Sequence, residues 1–162
     1  DSMPDDARLW VFGARAPPDE IDTPRLLTAV DRYLATWQAH GAPLTSAREF
    51  REEYFLVVAA DERASGASGC SIDGLFRALQ DVEEGIGTSM VEGGLAFFRD
   101  AGGFVHGVTR GEFEFMGKHG EVNGATPVFD LTVTTAGDFR ARFERPARES
   151  WHASLLPDQA RR

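Results

Sequence analysis

Tyr54-Phe55-Leu56-Val57-Val58-Ala59-Ala60 runs into the polar stretch Asp61-Glu62-Arg63-Ala64-Ser65-Gly66-Ala67-Ser68-Gly69, and that stretch into Cys70-Ser71-Ile72-Asp73. The first segment is apolar without alternation and of strand length, which predicts a central strand covered on both faces. The second consists of charges and turn formers, which predicts a polar, glycine-rich loop. From Ile72 onward Leu75, Phe76, Leu79 and Val82 follow the i, i+3, i+4, i+7 pattern, so an amphipathic helix ends at Gly85 or Gly87. Strand, loop and helix therefore surround the only cysteine of the chain.

Working outward, Leu9-Trp10-Val11-Phe12 stopped by Gly13 reads as a strand. Thr23-Pro24 offers an N-cap and a first-turn proline. Leu26, Leu27, Val30, Tyr33, Leu34 and Trp37 then share one helical face, predicting a helix from about Pro24 to His40 with Gly41 behind it. Leu95 to Phe98 and Phe104 to His106 flank the turn Asp100-Ala101-Gly102-Gly103 and read as a hairpin. Glu112 to Met116 alternates like a strand, but Thr109 three residues before Glu112 fits a capping box and favours a short helix. Phe129, Leu131 and Val133 alternate with Asp130, Thr132 and Thr134, so the first set is expected buried and the second wet. Thr135 caps a last short helix carrying Phe139 and Phe143. The expected architecture is α+β: a single compact domain over residues 9–156 with a mainly antiparallel sheet of about four or five strands and about four helices. Residues 1–8 are expected to be a frayed start and 157–162 a disordered tail.

Composition narrows the function. The chain has 162 residues, with 17 Lys+Arg against 26 Asp+Glu and a net charge of -9. Lys118 is the only lysine, and the arginines are spread thinly, so no basic stripe for nucleic acid exists. No apolar run approaches the roughly 18 residues of a spanning helix, and the start has no basic and apolar leader pattern. A cytoplasmic protein with no membrane and no nucleic-acid partner is expected. One cysteine rules out an internal disulfide framework and an all-cysteine zinc site.

The Gly66 to Asp73 segment invites comparison with a phosphate-binding P-loop, but the lysine that a Walker A motif needs is missing, so the segment is not an ATPase signature. Its helix-start amides can still hold an anion. The same position favours a thiolate at Cys70 through the helix dipole. A nucleophilic Cys70 needs a base, for which His40 and His152 are the candidates, and Asp73 is the candidate orienting carboxylate. Gly69 and Ser71 supply backbone amides, and Trp37 and Trp151 are candidate ligand-covering rings. The bland reading stands beside each: a lone cysteine is commonly a small buried hydrophobe, and an acid near a helix start is simply good for the helix. No close pair of metal ligands occurs among His40, Cys70, Asp73 and His152, so neither a metal nor a cofactor is expected.

Four segments, Trp37-Gln38-Ala39-His40-Gly41, Gly66-Ala67-Ser68-Gly69-Cys70-Ser71-Ile72-Asp73, Val133-Thr134-Thr135 and Ser150-Trp151-His152, give the chain from about Leu9 to Leu155 a resemblance to a family of small bacterial proteins commonly labelled "ABC transporter ATPase". The resemblance implies a bacterial cytoplasmic protein in which His40, Cys70, Asp73 and His152 share a pocket. It implies no particular reaction.

Three functions compete on these residues. In the first, Cys70 attacks an acyl or amide substrate with His40 or His152 as base. In the second, the Gly66 to Asp73 loop is a non-catalytic binding site for a small molecule or peptide. The third is a structural or interaction protein in which Cys70 is packing alone. The sequence sets no oligomeric state.

Overall fold

A computed structural model describes residues 3–36, 38–39, 42–43, 45–61, 69–86, 88–90 and 93–162, with the backbone alone at 38–39, 42–43 and 69–72. In chain order its elements are β1 (Arg8–Gly13), α1 (Asp22–Ala35), β2 (Gln38–Ala39), β3 (Ala42–Pro43), β4 (Thr45–Arg51), β5 (Phe55–Asp61), α2 (Gly69–Glu83), β6 (Leu95–Arg99), β7 (Val105–Thr109), α3 (Arg110–Lys118), β8 (Pro127–Phe129), α4 (Ala136–Arg142) and β9 (Glu144–Pro146). Three 3-10 turns follow at Ala147–Glu149, Trp151–Leu155 and Asp158–Ala160.

The fold is α+β, with every described strand pair antiparallel. The strands divide between two main sheets rather than lying in one. The first has the order β1-β5-β4 and the second β7-β6-β8-β9, while β2 and β3 form a small ribbon. Strand β5 is central, as its unbroken apolar sequence requires: both of its faces are covered.

The period-two alternation of the strands sorts their side chains into layers. Leu56, Val58 and Ala60 of β5, with Phe12 of β1, pack under Leu26 and Val30 of α1 and Leu75 and Leu79 of α2. The opposite face, Phe55, Val57, Ala59 and Leu9, meets Phe97 and Phe129 of the second sheet and Phe139 of α4. The far face of that second sheet, Ala96, Phe98 and Val128, packs on Phe113 of α3 and on Ala147 and Leu156 of the C-terminal turns. The result is a sandwich of helices, sheet, sheet and helix with turns. Phe55 sits at its centre, its ring 5.0 Å from Phe97, 4.8 Å from Phe129 and 5.1 Å from Phe143. Each such ring contributes about 1.5–3 kcal/mol by burial and more by edge-to-face contact.

Several local expectations meet their physical reasons here. Helix α1 begins two residues before Pro24 because Asp19, not Thr23, takes the free amides of Ile21 and Asp22. It stops at Ala35, where the Thr36 hydroxyl donates to the Tyr33 carbonyl; Trp37, His40 and Gly41 lie outside the described residues. Thr109 and Glu112 form the expected capping box, which decides for a helix at α3. Thr135 caps α4 through the Asp138 amide, and Phe139 stacks on Phe143 at 4.6 Å. The hairpin β6–β7 turns on Asp100, whose carboxylate accepts from the Gly102 and Phe104 amides.

Both ends of the described chain are tied down. The Gly137 amide donates to the Asp5 carbonyl and Arg140 holds the Asp5 carboxylate. At the other end the Gly124 amide donates to Ala160 and Arg161 to the Ala153 carbonyl. Asp5, Ala7 and Ala160 thus make backbone hydrogen bonds to the rest of the domain. Among the described residues no helix is long and apolar enough to cross a membrane.

Candidate functional site

Strand β1 is an edge strand, and the chain leaving β8 supplies its only described cover on the outer side. The Leu9 amide donates to the Thr134 carbonyl, and Arg8 bridges to Thr135. Asp130 forces the chain from one sheet toward the other. Its carboxylate accepts from the Thr132 amide at 2.9 Å, from the Thr132 hydroxyl, and from Arg145 at 2.8 Å. Asp130 is 3% exposed, against the expectation that it would be wet, because these partners replace water. Burial pushes its carboxyl up, but the Thr132 bonds and the Arg145 guanidinium outweigh that and hold it below its ordinary value.

Alongside β1 and the Leu131–Thr134 segment runs a groove of about 650 Å3. It crosses the layers of the sandwich. Phe76 from α2 lies on one side, β1 and Phe97 form the floor, and Arg110 of α3 and Trp151 lie on the other. Most of its described lining is apolar, and its charged lining residues are Arg8 and Arg110. Each rides on a tryptophan: Arg8 is 5.2 Å from the ring centre of Trp10 and Arg110 is 4.9 Å from that of Trp151. Two glycines keep the floor open for the Phe97 ring. A β-carbon at Gly13 would come within 2.5 Å of Phe97, and one at Gly107 within 2.7 Å.

Behind Trp151 lies His152, wholly buried, its ring stacked on Trp151 at 3.8 Å and edge-on to Phe113 at 5.6 Å. Its Nδ1 shares a hydrogen with the Ser150 hydroxyl at 2.8 Å. Its Nε2 and the Trp151 indole nitrogen are buried without a hydrogen-bond partner among the described residues. Burial drives the imidazole down to about 4; the Asp130 carboxylate opposes this, and Arg145 and Arg110 reinforce it. His152 is therefore neutral at neutral pH and sealed from solvent by aromatic rings.

The candidate residues from sequence thus divide. Trp151 lines the groove, and His152 stands behind it as a support. Gly69, Cys70 and Ser71 form the first turn of α2, the helix that sends Phe76 into the groove, and their side chains lie outside the described residues. Asp73 follows that turn, exposed and one helical turn before Phe76, and is not among the lining residues. Trp37, His40 and 66–68 of the loop also lie outside the described residues. Among those described, no three His, Cys, Asp or Glu side chains gather as metal ligands do. Arg8, Trp10 and Arg110 were not singled out as a site by sequence; the signal available was a tryptophan in a short edge strand beside an arginine. Compared with protein-family models, curated proteins and solved structures, the chain has no match.

Proposed function

We propose that this protein is a binding module for a small, largely apolar ligand, which lies in the groove beside β1. The observation that carries the reading is one concave site of about 650 Å3, within the size range of small-molecule pockets, built from all four layers with two tryptophans in its walls. Its wall at Leu131–Thr134 is fixed by the Asp130 bonds and its Trp151 by the buried His152, so the shape is formed before a ligand arrives.

N-phenyl-1-naphthylamine, a neutral aromatic probe, tests this directly. Saturable one-to-one binding with energy transfer from tryptophan is expected, and Thr134→Trp, which fills the groove from an exposed position, lowers the affinity at least tenfold. Absence of saturable binding, or equal affinity in Thr134→Trp, refutes the reading.

A second reading has support of its own. Cys70 lies in the first turn of α2, where the helix dipole favours thiolate, and Phe76 of that helix borders the groove. On this reading the thiolate acts on an acyl or amide ligand held there, with His40 as the base, since the sealed His152 is too weakly basic for that role. Iodoacetamide labelling across pH separates the two: a rate that follows a group well below the ordinary thiol value of about 8.5 favours the enzyme, and an ordinary or unreactive thiol favours the binding module.

A further inference from the structure

The structure assigns a charge to this ligand: we infer that the groove takes a small amphipathic oxyanion, an apolar body ending in a carboxylate or phosphate, with Arg110 holding the head group. The inference rests on the groove being the binding site. In a chain of net charge -9, no acidic residue is among the described lining of the groove, and both charged lining residues are arginines. Local selection of positive charge against so acidic a background marks the sign of the ligand.

Arg110 differs in what it touches from the arginines that hold a carboxylate. Arg25, Arg48, Arg51, Arg99, Arg142 and Arg145 each hold a carboxylate within 4 Å. Arg110 has no carboxylate partner among the described residues; its recorded contact is the face of Trp151. With its Cζ over the Trp151 ring and no carboxylate partner among the described residues, Arg110 has N–H donors of the fork geometry that suits a bidentate oxyanion. The backbone sets its position too, because Arg110 is the first residue of α3 behind the Thr109 capping box.

The test is displacement of N-phenyl-1-naphthylamine by four compounds sharing one tail: decanol, decanoate, decyl phosphate and decylammonium. Decanoate and decyl phosphate are expected to displace the probe at concentrations at least tenfold below decanol, and decylammonium only above it. Either order of the two anions supports the inference and names the head group. Arg110→Gln should bring both anions to the decanol value, each displacement being read against that variant's own probe affinity, while Arg110→Lys keeps part of the preference. Equal displacement by all four compounds overturns the inference while the groove reading stands. So does an anion preference that survives in Arg110→Gln, or one removed by Arg8→Gln and not by Arg110→Gln. Failure of the probe itself to bind removes the groove reading and this inference with it.

Discussion

The ring of Phe97 occupies the space that a side chain at Gly13 would need. A β-carbon there would lie 2.5 Å from Phe97 Cζ and 3.0 Å from a Leu131 methyl. Phe97 is 2% exposed and wedged against Phe55, so it has nowhere to move. Gly13→Ala should therefore lower the unfolding free energy by about 2–3 kcal/mol through overpacking, measured by urea denaturation. In a Phe97→Leu background the same substitution should cost at least 1 kcal/mol less, because the two positions share one space. Equal cost in both backgrounds would show that Phe97 is not the obstacle.

Asp130 is the hinge on which the groove wall turns. Asp130→Ala removes three bonds at once and leaves Arg145, itself only 20% exposed in its side chain, without its counter-charge. Breaking such a buried pair costs about 3–5 kcal/mol, and Asp130→Asn, which keeps one acceptor for Thr132, should cost less. Because Leu131–Thr134 line the groove, the Asn variant should also bind N-phenyl-1-naphthylamine more weakly while still folded. Unchanged probe affinity in a folded Asp130→Asn protein would separate this carboxylate from the site.

How far the sequence announced this arrangement depends on the range of the cause. The strand Phe55–Asp61, helices α1 and α2, the β6–β7 hairpin and the capped starts of α3 and α4 are set by neighbours in sequence, and periodicity or capping residues reveal them. Asp130 looked like the wet side of an alternating strand because its compensating partner, Arg145, lies fifteen residues away. The division into two sheets has the same origin: Phe129 and Val133 both reach the inter-sheet core, but the chain between them turns at Asp130 and leaves β8. Arg8, Phe76, Arg110 and Trp151 come from four separate elements, so no spacing rule links them; only Trp151 was marked as a ligand-covering ring.

His152 makes stability depend on pH. Its native imidazole titrates near 4, below the ordinary histidine value of 6.5, so between these limits the unfolded chain binds the proton that the native state refuses. Stability is fully expressed above about pH 6.5 and declines as pH falls toward 4, by about 3 kcal/mol at most for this group. Asp130, whose carboxyl is held below its ordinary value, adds a loss of the same sign at lower pH. Unfolding free energies of the wild type and His152→Phe at pH 7, 6, 5 and 4.5 isolate the histidine: the variant should show the shallower slope between pH 6.5 and 4.5. Parallel slopes would mean that the ring is protonated in the native state as easily as in the unfolded chain.

Glu52 and Glu53 close the β4–β5 hairpin with φ of 56° and 63°, the left-handed region at both central positions. That geometry matches the twist of the paired strands, but glutamate enters it at a cost of about 1 kcal/mol per residue, which glycine avoids. The two positions differ in what else they do. Glu52 ion-pairs with Arg99 at 3.0 Å, and Arg99 also holds Glu144 of β9, so Glu52 ties the hairpin of the first sheet to the second. Glu53 is exposed and has no ion pair among the described residues. Glu53→Gly should raise the unfolding free energy by about 0.5–1 kcal/mol, less than the full relief because glycine loses more backbone entropy on folding. Glu52→Gly gives up the Arg99 contact for the same relief and should come out near zero or negative. Urea midpoints of the two variants decide the matter: equal gains would mean that the Arg99 bridge contributes nothing, and a loss at Glu53 would mean that the turn is not strained.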